Sequence, residues 1–159
     1  MPRFADLDVV ANCQTYWAQH EPQMEEHTIP WIGAARAELQ YPFESLRRTG
    51  ARLAMGSDWP VTTADPLREM EVAVQRVDPD RRAAAPFLPH ERLTLVEALA
   101  GFTSGAAHVN HDAAGGRLAV GARADLAVVD QDLFALEGRT ADARVTCTVA
   151  AGQVVYGDV

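Results

Sequence analysis

Residues 52–61, Arg52-Leu53-Ala54-Met55-Gly56-Ser57-Asp58-Trp59-Pro60-Val61, decide how the rest of the chain is read. Arg52 to Gly56 reads as a buried strand. Just ahead of it, Pro42-Phe43-Glu44-Ser45-Leu46-Arg47-Arg48-Thr49-Gly50 reads as a short helix, with proline in its first turn, an apolar pair three residues apart and glycine as the stop. A helix feeding a short apolar strand is half of a β-α-β unit, so an α/β class with parallel strands is expected. Asp58 then falls just past the strand's C-terminal end, where the loops of α/β barrels gather their chemistry. The same residues also suit a plainer role, in which Ser57 and Asp58 cap a turn that Pro60 closes.

Working outward, Asp8 to Gln14 begins with a β-prone run and reads as a strand, followed by a long loop to about Gln40 that mixes Pro22, Pro30, Gly33 and scattered charges without periodicity. On the other side, Asp65 as N-cap and Pro66 at the first position start a helix to Val77, with Leu67, Met70, Val74 and Val77 on one stripe. A loop punctuated by Pro79, Pro86 and Pro89 leads to a capping box, Thr94 with Glu97, and a helix whose predicted apolar face is Leu95, Leu99, Phe102 and Ala106. After Gly115-Gly116 the chain turns β-rich: Ala124 to Asp130, Val145 to Ala150 and Gln153 to Tyr156, the last two flanking a tight Ala151-Gly152 turn. The chain therefore divides near residue 115 into an α/β part, 1–115, and a small antiparallel β part, 116–159.

Composition bounds the function classes. The 159 residues are 48% hydrophobic and 23% charged, ordinary globular values that allow one core of moderate size. The formal net charge of -8 disfavours phosphate backbones and anionic lipid surfaces, and the only basic clusters are the short pairs Arg47-Arg48 and Arg81-Arg82, so neither nucleic acid nor a membrane is an expected partner. Cys13 and Cys147 match neither a redox pair nor a zinc-ribbon spacing, and reduced thiols in a cytoplasmic chain are the default. The first residues lack the basic flank and apolar core of a signal peptide, and no apolar run reaches the roughly 20 residues of a membrane helix.

The order of motifs resembles the C-terminal third of amidohydrolase-superfamily enzymes, in the amidohydrolase-3 branch. Val9 to Gln14 is similar to the seventh barrel strand, with Gln14 where that branch often carries glutamine. Tyr41-Pro42-Phe43 with Leu46 and Gly50 resembles the helix before the eighth strand, and Gly56-Ser57-Asp58-Trp59-Pro60 the end of that strand, followed by Asp65-Pro66-Leu67. Leu93-Thr94-Leu95 with Glu97-Ala98-Leu99 resembles the closing barrel helix. Gly116-Arg117-Leu118, Gly121, Ala124 to Asp130 and Val154-Val155-Tyr156 resemble the β-sandwich packed beside the barrel. Each motif alone is only moderately specific; their shared order carries the resemblance.

The resemblance implies the last part of a metal-dependent (β/α)8 barrel plus a segment of an antiparallel β-sandwich. It implies that Asp58 is a metal ligand and the proton shuttle of hydrolysis at a non-peptide carbon-nitrogen bond, with Gln14 and Trp59 near a small-molecule substrate and a divalent metal, zinc by first choice, as cofactor. A tryptophan packed beside a strand end is the plainer reading of Trp59. The strands that carry the other family ligands have no counterpart here, and a barrel takes roughly 250 residues, so the expectation is an inert C-terminal portion that does not retain metal alone. Such a piece would pair with the missing N-terminal part or form an oligomer. The alternative is a non-catalytic fragment or interaction module joining a partner through exposed sheet edges. His108 and His111, spaced i and i+3, are expected in a surface loop, and His20-Glu21-Pro22 is not a helical metalloprotease motif. Trp17 and Trp31 are further candidates for substrate contact in the long loop.

Overall fold

The computed structural model describes residues 1–158. Two short parallel strands lie at its centre, β1 (Ala11–Gln14) and β2 (Leu53–Gly56), in register so that Ala11 pairs with Leu53 and Gln14 with Gly56. Helix α1 (Phe43–Arg48) connects them, and its Phe43 and Leu46 enter the core as the apolar pair requires. Parallel strands joined through a helix confirm the α/β class.

Helix α2 (Pro66–Gln75) starts where expected: the Asp65 side chain accepts from Leu67 N at 2.9 Å, and Pro66 occupies the first turn, where its missing N–H costs nothing. It stops two residues short of Val77. Arg76 has φ +61, and its buried guanidinium donates from Nε to Phe87 O at 2.9 Å and from NH1 to Tyr41 O at 3.1 Å. Stacked over the rings of Phe43 and Phe87, that cation closes the helix by tying it to two loops. Burial draws its pKa down to about 10.

The single apolar stripe expected on α2 is too narrow. Val72 and Ala73 are buried as well as Leu67 and Met70, and so are the two carboxylates between them, Glu69 and Glu71. The helix is enclosed because residues 133–145 cover its outer side. Thr140 Oγ1 donates to Leu67 O at 2.6 Å, Ala141 N to Glu71 Oε2 at 3.0 Å and Gln75 Nε2 to Glu137 O at 2.8 Å, while Leu136 and Ala143 join the common core.

The capping box is present, with Glu97 N on Thr94 Oγ1 and Thr94 N on Glu97 Oε2, and it starts α3 (Leu95–Ala100). The helical path then widens over Gly101–Gly105 and continues as α4 (Ala106–Val109). His108 thus lies on a helix rather than in the expected loop, exposed, with His111 just beyond it. The buried face also differs: Ala98, Gly101 and Gly105 are its most enclosed positions, and Leu99 and Phe102 pack partly at its side. A β-carbon on Gly105 would stand 2.2 Å from the Leu53 carbonyl oxygen, so only glycine lets the helix lie this close to β2.

Residues 23–37, expected as loop, form short helical turns at Gln23–Thr28, Ile29–Ile32 and Ala34–Ala37. Met24 and Ala37 alone among them are buried, so there is too little apolar repetition for a period to show in the sequence. The C-terminal strands β3 (Leu126–Val129), β4 (Val145–Ala150) and β5 (Gln153–Gly157) form an antiparallel sheet in that order. Ala151 and Gly152, both at positive φ, make the two-residue hairpin between β4 and β5.

Candidate functional site

The two parallel strands end side by side, and the turns leaving them build the site. After Gln14 the chain makes a tight 3-10 turn, Thr15–Trp17; after Gly56 it passes Ser57 into a turn that Asp58 enters at φ +60. Aspartate tolerates this left-handed conformation better than most residues. Val61 N donates to Asp58 O at 2.8 Å and closes the turn, while Trp59 N donates to Ser57 Oγ at 3.2 Å. The capping role of Ser57 and the exposed Asp58 carboxylate therefore coexist: the backbone makes the turn and the acid group is left at the surface.

Among the described residues that carboxylate has one side-chain hydrogen-bond partner. Trp17 Nε1 donates to Asp58 Oδ2 at 3.3 Å across the two strand ends. Trp17, flagged from sequence for substrate contact, thus meets the acid itself. Gln14 is half-buried at the end of β1, paired with Gly56, so the structure brings it to the strand end that leads to Asp58. Trp59, beside Asp58, is 66% exposed, which sets aside the reading of a tryptophan packed against the strand. Trp31 is 84% exposed on its helical turn. His20 sits against Glu25 and edge-on to Phe87, its ring nitrogen already engaged.

Beneath this surface lies a second carboxyl that the sequence reading passed over, Glu69 of α2. It is fully buried, and hydrogen bonds join it to both strand-end turns: Oε2 lies 3.1 Å from Thr15 Oγ1 and 3.2 Å from Tyr16 N, and Oε1 lies 3.2 Å from Thr62 Oγ1. Burial pushes its pKa up to about 7; the hydrogen bonds pull the other way, and the charge of Asp58 adds to the rise. The available signal was the apolar run Val72-Ala73-Val74 inside α2, which overfills one stripe and implies that the acids beside it are enclosed. Deeper still, burial raises the Cys13 thiol to about 11, which keeps it protonated and unreactive.

An exposed carboxylate fixed by an indole at the mouth of parallel strands has the chemistry of one metal ligand or of a proton acceptor. Among the described residues no three His, Cys, Asp or Glu side chains converge on a metal-sized site, so Asp58 fits a metal only as one member of a larger set. No described helix is long and apolar enough to cross a membrane.

The chain is 31% identical over 158 residues to Protein LONG AFTER FAR-RED 3 of Arabidopsis thaliana, covering 97% of this chain and 26% of that protein. It is 28% identical to the putative amidohydrolase YtcJ of Bacillus subtilis, over 86% of this chain and 27% of that one. An N-substituted formamide deformylase of Arthrobacter pascens is 35% identical over 64% of this chain and 19% of its own length. The chain thus spans about a quarter or less of the curated relatives it matches. A crystal structure of an uncharacterized protein superposes with a TM-score of 0.54 at 26% identity, covering 94% of this chain and 35% of that one. The sequence pattern of the amidohydrolase family matches residues 1–156, nearly the whole length, and the chain belongs to that family.

Proposed function

We propose that this chain supplies the C-terminal portion of a metal-dependent hydrolase acting on a non-peptide carbon-nitrogen bond in an amide, cyclic amide or N-acyl compound. In this reading residues 1–115 are the last two strands and closing helices of a (β/α)8 barrel, and residues 116–159, of which Val159 lies outside the described residues, are a β-sandwich segment. The observation that carries it is the Asp58 carboxylate, exposed past the C-terminal end of a parallel strand and oriented by Trp17. Family membership and the name of the formamide deformylase support the bond type.

Asp58 has two tasks here. With Oδ2 accepting the Trp17 N–H, its other oxygen is left to join the ligand set of a divalent cation, zinc by first choice, and to take the proton of the attacking water. A bound cation would supply a polarised water acidic enough to lose that proton near neutral pH. Asp58 then hands the proton to the leaving nitrogen. Gln14 and the exposed Trp59 would contact the substrate from the two strand ends. The remaining ligands would come from preceding barrel strands, making a polypeptide that carries them the natural partner.

Elemental analysis tests this reading. The chain alone should hold little metal, a mixture with a polypeptide carrying those preceding strands should hold it stoichiometrically, and Asp58→Ala should abolish the gain. A mixture that binds no metal, or binds it equally well with Asp58→Ala, removes Asp58 from the ligand set. A second reading, an interaction module without catalysis, draws on the unpaired outer edges of β1 and β2, which among the described residues pair only with each other. It calls for a stable complex with no metal and no effect of Asp58→Ala.

A further inference from the structure

We propose that Glu69 is the positioning residue of this site, a buried clamp that fixes the turn bearing Trp17 against the turn bearing Asp58. Trp17 and Asp58 leave different strands, and their own contact is one hydrogen bond of 3.3 Å at the protein surface. A surface bond of that length orients a carboxylate only if both backbones are held from behind. Glu69 is the one side chain bonded to both turns among the described residues. Its Oε2 accepts from Tyr16 N and lies 3.1 Å from Thr15 Oγ1, the two residues before Trp17, and its Oε1 lies 3.2 Å from Thr62 Oγ1, whose hydroxyl donates to Ser57 O, the residue before Asp58.

A count of protons sharpens the assignment. Each threonine hydroxyl has one proton to give. Thr62 gives its proton to Ser57 O, and Thr15 lies nearest Glu69 O, at 2.9 Å. The Oε1 contact with Thr62 is then completed by a proton on Glu69 itself, donated to Thr62 Oγ1, while Oε2 accepts the Tyr16 N–H. Burial favours this neutral form. In this neutral form the arrangement runs as a chain from Tyr16 N through the Glu69 acid and Thr62 to Ser57 O, joining the two strand ends without placing a second charge behind Asp58. Glutamine reproduces it, with a carbonyl facing Tyr16 and an amide N–H facing Thr62; alanine deletes it.

The clamp matters for catalysis only if Asp58 has the role proposed above, but it is read without metal or substrate. Indole N–H resonances of the 15N-labelled full chain are recorded, with Trp17 assigned through Trp17→Phe and its response to loss of the acceptor charge set by Asp58→Asn. We expect Glu69→Ala to displace the Trp17 resonance in the direction of Asp58→Asn, Glu69→Gln to leave it at the wild-type position, and the Trp31 resonance to stay fixed throughout. Thr62→Val, at a half-buried position, cuts one arm of the clamp and should displace the same resonance if Glu69→Ala does not fold. A Trp17 resonance unmoved by Thr62→Val and by folded Glu69→Ala, or equally moved by Glu69→Gln and Glu69→Ala, overturns the proposal. Failure of the metal experiment with the clamp intact removes the hydrolase reading alone.

Discussion

Gly105 lies so close to Leu53 that the wide helical turn and the strand leading to Asp58 share one contact surface with no room for a methyl group. The obstacle is backbone: the Leu53 carbonyl oxygen stands 2.2 Å, and the Ala54 α-carbon 3.3 Å, from where a β-carbon would sit. Gly105→Ala should therefore destabilise the protein by about 2 kcal/mol even after the helical gain from alanine. At Gly101 the nearest atoms belong to the flexible Met55 side chain, at 2.7 Å from Sδ. There the helical gain and the repacking should nearly cancel, leaving Gly101→Ala within about 1 kcal/mol of wild type. Urea unfolding of the two variants checks the contrast, and equal losses would refute it.

Glu71 fastens the C-terminal segment to α2. Its buried carboxylate accepts from Arg82 Nε at 2.5 Å and NH2 at 3.0 Å and from Ala141 N at 3.0 Å. Removing it strands the Ala141 N–H, but Arg82 is partly exposed and keeps Asp142 at 2.8 Å. Glu71→Ala should cost about 2 kcal/mol, and Glu71→Gln, which retains an acceptor, roughly half as much. Protease digestion should then cut between residues 115 and 145 faster in the alanine variant than in wild type.

Glu69 gives stability a pH dependence of definite sign. Its pKa is raised in the folded chain, to about 7 from 4.5, so its contribution is complete below the unfolded value and declines as pH rises through the folded one. Relative to Glu69→Gln, which does not titrate, wild type should lose stability progressively between about pH 4.5 and pH 7. A difference between the two that is flat with pH, measured by thermal melts, would contradict this.

Asp58 should contribute little to folding. It is exposed, and asparagine suits its positive φ equally well, so Asp58→Asn should shift stability by no more than about 0.5 kcal/mol. Asp58→Ala loses that conformational tolerance and should cost about 1 kcal/mol, seen as a lower unfolding midpoint.

Local signals were read from sequence wherever the physics is local. Asp65 with Pro66, Thr94 with Glu97 and the Ala151-Gly152 hairpin each depend on a few adjacent residues, and each is present. Strand, helix and strand over residues 8–56 followed from burial pattern and stop signals, and the structure supplies their parallel pairing. The helical turns of residues 23–37 were missed because so few of their residues are buried. The closing helix was carried to Ala106 in sequence, and only its last residues to Val109 were missed; that Gly101 and Gly105 within it serve a close approach to β2 is a tertiary fact.

The sequence by itself determined the α/β class, the family and the placement of Asp58 past a strand end, since these rest on the order of motifs and on short-range preferences. Only the tertiary structure decided that Trp17 holds the Asp58 carboxylate, that Glu69 sits buried between the two strand-end turns, and that residues 133–145 enclose α2. The reason is distance along the chain. Trp17 and Asp58 are 41 positions apart, and Thr15 and Glu69 are 54 apart; no local propensity links such pairs, which meet only when β1 and β2 align in register and α2 packs beneath them.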